Sequence, residues 1–314
     1  MEARGNTLGR RAQRWFGGFR GKGQIYAMLA LNIVMFSVLS VYPIIWVLKY
    51  MLFQYDKVHE PLFIGLDNFV RAFTRDPAFW KSVLNTLIYV SGKLIVTLPV
   101  SFLAAVILNK KFRGSRLAQS VIFMPTIMSA AVMSLMFYLI LNPYSGSLNQ
   151  LLTRARLIGA PINWLNYYNA MGSVILVGVW GAIGNYMVYF MAGLQSVPGE
   201  IYESADLDGI TAPKKMWYIT LPMLSPVLKT VVMLALINSF QDMQSIMVLT
   251  EGGPNGATDV MFLYVYRMFF PVSASTASTA QFGYGAALSV ISAVIIGVVT
   301  SLYLRFTRKL DDVY

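Results

Sequence analysis

Hydrophobic positions along the chain fall into six long runs separated by polar stretches: Tyr26–Leu48, Leu84–Leu108, Leu117–Leu141, Gly172–Leu194, Leu224–Leu249 and Gly283–Leu304. None alternates with the period of a half-buried strand. Each reaches the roughly 20 residues a helix needs to cross about 30 Å of hydrocarbon. The pattern therefore predicts an all-α polytopic membrane protein of six transmembrane helices, with both termini on one side. Two shorter runs, the amphipathic Leu66–Phe73 and the apolar Val260–Pro271, cannot span and are predicted as helices lying at the interface.

Basic residues fix the orientation. With the N-terminus inside, the four inner segments (1–25, 109–116, 195–223, 305–314) hold 15 Lys and Arg, and the three outer ones (49–83, 142–171, 250–282) hold 8. The inner segments are also the shorter set, so the asymmetry follows the positive-inside rule. The basic excess thus reports topology and lipid headgroups rather than nucleic acid. Residues 1–24 read as a basic cytoplasmic tail ahead of a transmembrane domain over 25–314. The first run is too long for a signal peptide and lacks a small-residue cleavage site, so it reads as a retained anchor.

Composition agrees. Of 314 residues, 56% are hydrophobic and 12% charged, against roughly 45–50% and about 25% in soluble domains. There is no cysteine and one histidine, His59. That excludes disulfides, thiolate or imidazole-rich metal sites, and a membrane-embedded hydrolase needing a histidine base.

The inner segment 195–223 differs from its counterparts. Pro198 and Glu200 suit the first turn of a helix, and Gly209 suits its left-handed end. Thr211 then caps a second helix with Pro213 in its first turn, and Pro222 is expected to end it. The result is a helix–Gly–helix hairpin, far longer than a mere connector needs to be.

Within it, Glu203-Ser204-Ala205, three residues, Gly209, nine residues, and Ile219-Thr220-Leu221-Pro222 resemble the EAA loop of bacterial ABC-importer permeases. Ser204 and Ile210 depart from the commonest pattern. Thr250-Glu251-Gly252-Gly253-Pro254, Tyr264-Val265-Tyr266 and Phe282-Gly283-Tyr284-Gly285 are similar to the carbohydrate-type branch, with Glu251 in place of a glycine. The resemblance implies a type I ABC importer permease fold in a bacterial cell membrane. It implies the first of two non-identical permease subunits, two ATPase subunits and an extracellular or periplasmic solute-binding protein. In that family the loop docks on the ATPase, which makes Ile201, Tyr202, Glu203, Ser204, Ala205, Asp208, Gly209, Leu221 and Pro222 the coupling residues. Ile201, Tyr202 and Ala205 would enter a cleft of the ATPase, with Glu203 at its rim.

No Gly-x4-Gly-Lys-Ser/Thr loop occurs in the chain. ATP and Mg would accordingly be bound by the partner subunits, with no cofactor held here. The transport path is expected where polar groups fall inside the spans: Asn185 and Tyr189 in the fourth, and Asn238, Gln241, Asp242 and Ser245 on one face of the fifth. Such groups also glue helices together. Amides and a carboxylate among aromatics suit a sugar. The alternative is a proton-coupled secondary carrier using Asp242, in which the hairpin has no role.

Two charges lie inside the runs. Lys93 is nine residues in from Leu84 and Asp242 seven in from Leu249, depths of about 14 Å and about 10 Å at 1.5 Å per residue. The near-agreement allows an ion pair. Separate snorkelling of Lys93 is the other solution.

Overall fold

The computed structural model describes Gly23, Tyr26 and residues 28–110, 112–271 and 280–307. The basic tail 1–24 lies outside them apart from Gly23. Four unbroken helices have spanning length: α1 (Met28–Tyr50), α3 (Pro77–Leu108), α7 (Ala170–Ser196) and α13 (Phe282–Thr307). A β-hairpin pairing Phe53 with Phe63 and a short helix α2 (Asp67–Thr74) join α1 to α3. The hairpin's two-residue strands are the one departure from an all-helical chain among the described residues.

α3 begins seven residues before its apolar run. Pro77 occupies its first turn and the Asp76 carboxylate accepts the Phe79 amide at 3.0 Å, a cap that extends the helix past the hydrophobic stretch. Its 32 residues are about 48 Å long, well beyond the hydrocarbon thickness. In α1, Pro43 cannot bond the carbonyl four residues back. A π-turn over Ser37–Val41 takes up the difference, with the Tyr42 amide on the Ser37 carbonyl.

The third and fifth runs are not straight spans. The third divides into α4 (Ser115–Ile127) and α5 (Ala130–Ile140), bent by 99°. Pro125 lies in the last turn of α4, Met128 and Ser129 are extended, and the Ser129 hydroxyl accepts the Val132 amide to start α5. The fifth run begins after a 71° bend between α9 (Ala212–Met223) and α10 (Ser225–Phe240). It breaks again at residues 241–243, before α11 (Gln244–Leu249). Hydropathy counts apolar residues and does not register where the backbone leaves the helix, so both runs had read as continuous.

α3 and α7 form the central pair. Around them lie two buried clusters, one with Tyr89, Val177, Ile246 and Leu288 and one toward the other end with Tyr186, Phe190, Leu224 and Ala235. The second short run, the apolar one, folds as α12 (Met261–Phe269). Met261, Leu263 and Val265 are buried in the first cluster, and the Met261 amide donates to the Thr86 hydroxyl at 2.8 Å. One face of α12 is therefore core rather than interface. α1 buries no residue within the chain and leans on α13.

Candidate functional site

The hairpin that follows α7 is built as two helices around a glycine. α8 (Gly199–Leu207) closes through bonds from the Asp208, Gly209 and Ile210 amides to the Ser204, Asp206 and Ala205 carbonyls. Gly209 has φ +70°, a conformation that costs other L-residues roughly 1–2 kcal/mol. Nothing lies within 4 Å of a Cβ placed there, so the constraint is the backbone turn and not crowding. Thr211 occupies the cap position of α9 without a side-chain cap bond, and Pro213 is in the first turn. Pro222 does not end this helix. It opens the last turn, Leu221–Met223, and the chain bends at Leu224.

Two contacts fasten the helices together. The Tyr202 and Thr220 hydroxyls are 3.1 Å apart, and Lys215 pairs with Asp206. Between the helices lies a shallow cleft of about 340 Å³ lined by Ile201, Ser204, Ala205 and Asp208 with Ile210 and Ile219. Ala205 is 3% exposed and lies at the floor of that cleft. Glu203 is exposed, and Leu221 and Pro222 are half-buried. The sequence reading missed Leu207, Trp217 and Tyr218, which are 90%, 69% and 77% exposed. Large apolar side chains in an otherwise polar segment were the available signal.

Inside the bundle, Lys93 and Asp242 are paired. Lys93 Nζ lies 2.7 Å from Asp242 Oδ2 and 3.2 Å from the Tyr89 hydroxyl. Tyr89 donates to the same carboxylate oxygen, and Ser245 donates to Oδ1 at 2.8 Å. The pair sits beside Gly178 of α7, where a Cβ would collide with the Tyr89 hydroxyl. A small cavity of about 180 Å³ joins it to the α4–α5 bend at Thr126, Met128 and Met133. That volume is below the ~300–1,000 Å³ of ordinary ligand pockets.

The polar residues of the fifth run do not share one helical face, because α10 ends at Phe240. Asp242 and Ser245 turn inward to Lys93, with both carboxylate oxygens engaged. Asn238 and Gln241 are exposed on the flank, as is Tyr189 of α7, with Asn185 half-buried. The Asn238 side chain neighbours the Tyr186 hydroxyl, and the Tyr186 and Tyr189 rings are 6.4 Å apart. Tyr189, Asn238 and Gln241 thus form a polar strip on an otherwise apolar surface.

At the other end, the residues after α11 make a clasp. Glu251, which stands where the related motif has glycine, takes φ +50°, and its carbonyl accepts from Arg267. Arg267 also pairs with Asp259 at 2.8 Å. Burial pushes the Asp259 carboxyl up to about 6 in spite of that cation. Asn85 of α3 holds the Gly256 and Asp259 carbonyls at 2.9 and 3.0 Å. Asp76 accepts from both Tyr264 and Tyr284, which accounts for two of the tyrosines in the sequence motifs.

The family model described as "binding-protein-dependent transport system inner membrane component" matches residues 97–312. The chain is 34% identical over 292 residues to the arabinooligosaccharides transport system permease protein AraP of Bacillus subtilis (strain 168), covering 91% of this chain and 89% of that one. It is 30% identical over 289 residues to the lactose transport system permease protein LacF of Rhizobium radiobacter, covering 90% and 94%. A chain of a bacterial alginate ABC transporter, solved in complex with an alginate pentasaccharide-bound periplasmic protein, superposes with a TM-score of 0.81 at 21% identity, covering 95% of this chain and 98% of that one. At that identity the likeness is one of fold.

Proposed function

The chain belongs to the binding-protein-dependent transport system inner membrane components, and from that membership we infer that it is one transmembrane half of an ATP-driven importer for a sugar or oligosaccharide. The observation that carries the coupling role is the α8–α9 hairpin, ordered around Gly209 and presenting Leu207, Trp217 and Tyr218 outward. Exposed apolar surface of that kind marks a contact site for a protein partner or the bilayer, and its place on the coupling hairpin favours the partner. An ATPase subunit would receive the hairpin, with Ile201, Ser204 and Asp208 at the cleft mouth and Glu203 at its edge. Ala205, Tyr202 and Gly209 would shape the hairpin rather than touch the partner.

The substrate class is supported by the sugar relatives and by the strip of Tyr189, Asn238 and Gln241, with Asn185 behind it. Exposed amides and a tyrosine within spans are costly against lipid. A second permease subunit facing this strip would enclose a polar path with it. Asp242 does not join that path as a free carboxylate. Its occupied oxygens also argue against the proton-coupled carrier, which needs a carboxyl that gains and loses a proton with each cycle. The alginate transporter's complex with a sugar-loaded periplasmic protein supports delivery to this chain by a solute-binding protein.

Energy would come from two ATPase subunits. Purified alone and reconstituted, the chain is expected neither to hydrolyse ATP nor to accumulate sugar. With the second permease, the ATPases and a loaded binding protein it is expected to do both. Sugar accumulation by the lone chain in proteoliposomes would defeat the assignment.

The charge distribution supports a topology with both termini cytoplasmic. Cysteines replacing Asn6 and Gly256 in this cysteine-free chain should react differently with an impermeant thiol reagent on intact cells. Labelling is expected at position 256 only, and labelling at position 6 would reverse the orientation.

A further inference from the structure

At the end of the bundle that carries the hairpin, the connection between α3 and α4 encloses a cleft of about 470 Å³ beside the tip of α7. Lys110 and Arg116 line it, together with Asn109, Ser115, Gln119 and Gln195. The side chains of Lys110, Arg116 and the neighbouring Arg113 have no hydrogen-bond or ion-pair partner among the described residues. The walls are fixed independently of these cations. Gln119 Nε2 donates to the Leu108 carbonyl at 3.0 Å, tying α4 to the end of α3, and Gln195 Nε2 reaches Asn109 Oδ1 at 3.4 Å, tying α7 to the same point.

The cleft continues along the bundle. Gln119, Met191 and Gln195 also line a second groove of about 340 Å³ between α4 and α7, whose walls are Phe123, Met187, Val188 and Ala192. A cationic mouth with preformed walls therefore opens into an apolar slot that runs into the hydrophobic part of the helices. A free phosphate would use the mouth and leave the slot empty. A neutral lipid would use the slot and leave the cations unpaired.

The geometry points to a site for one anionic phospholipid, its phosphate between Lys110 and Arg116 and an acyl chain in the groove between α4 and α7. Positive-inside placement accounts for cations at this end of the chain but not for their alignment with an apolar slot. Each cation near an anionic headgroup is worth about 1 kcal/mol, so the two together amount to roughly a thirtyfold preference for an anionic over a zwitterionic lipid.

The test is native mass spectrometry of the full chain, purified with whatever subunits accompany it, after exchange into detergent with added phosphatidylglycerol or phosphatidylcholine. Wild type is expected to retain phosphatidylglycerol about thirtyfold better than phosphatidylcholine. K110Q with R116Q should abolish that preference, and M191W, which fills the slot, should lower phosphatidylglycerol retention. R154Q with R156Q, which removes two cations from a different loop, is the control for charge alone and should match wild type. Equal retention in wild type and K110Q/R116Q would overturn the site. Undiminished retention in M191W would overturn the slot and reduce the site to a bare cluster of cations. Cross-linking of Q195C to an accompanying polypeptide would show that a protein covers the groove instead.

Discussion

Replacing Gly209 with valine is expected to abolish the stimulation of ATP hydrolysis by a loaded binding protein while leaving the chain in the membrane. The residue holds φ +70° with open space around it. Valine would fit sterically but would drive the turn out of the left-handed region, which costs a β-branched residue more than the roughly 1–2 kcal/mol typical of L-residues. The expense is local, and the consequence is geometric. α8 and α9 would no longer meet at the angle set by the Tyr202–Thr220 and Asp206–Lys215 contacts, and Leu207 and Trp217 would be presented in the wrong relative orientation. Coupling between distant sites is typically worth 1–3 kcal/mol, so its loss should cost about 5–150-fold in stimulated turnover. Gly209→Asn, which tolerates the same conformation better, should keep most of the stimulation. Glu203→Lys should reduce it without altering the hairpin, because Glu203 is exposed and reverses charge at the contact. Undisturbed stimulation in both Gly209→Val and Glu203→Lys would remove the coupling role from this hairpin.

The second large effect concerns the buried ion pair. Lys93→Met would leave Asp242 with only the Tyr89 and Ser245 hydroxyls, and Asp242→Asn would leave Lys93 charged and 7% exposed. Breaking such a pair from one side commonly costs 3–5 kcal/mol, about what holds a marginal helix arrangement together. Each single variant should therefore lower the yield of assembled complex several-fold and shorten its half-life on heating. Lys93→Met with Asp242→Asn removes both charges and should recover much of the loss, and the exchange Lys93→Asp with Asp242→Lys should recover part of it. The readout is assembly by co-purification set beside the rate of thermal inactivation. Strictly additive damage in the double variants would mean that the two residues act independently.

The spans were legible because a bilayer-crossing helix imposes a length and a composition that few other structures share. Charge placement added an expected orientation across the membrane. The 99° bend after Ile127 was not legible. Pro125 and Ser129 lie in a run whose mean character stays apolar, and a proline inside a transmembrane helix is tolerated often enough to carry little signal. The break after Phe240 was hidden in the same way, and it is what divides the expected polar face into an inward half and an exposed half.

Matching depth allowed the Lys93–Asp242 pair but did not choose between it and separate snorkelling of Lys93; the structure shows the pair. Tyr89 was missed, although it lies one helical turn before Lys93 and so on the same face of α3. In the hairpin, the turn at Gly209 was readable from residue type. The inward placement of Ala205 was not drawn out, although Ile201 and Ala205 at i and i+4 already formed the small apolar stripe on which α8 packs. The role of Asp76 required long-range contacts, because Tyr264 and Tyr284 reach it from 188 and 208 residues away in sequence.

The central claim is that this chain moves sugar with energy supplied by ATP through the hairpin. Sugar uptake into proteoliposomes holding the chain with its second permease and ATPase subunits, loaded binding protein outside and ATP enclosed, tests it most directly. Uptake is expected to require enclosed ATP, to persist with a protonophore and to vanish with Gly209→Val. Uptake that proceeds without ATP, is abolished by the protonophore and survives Gly209→Val would contradict the account and identify a proton-coupled carrier.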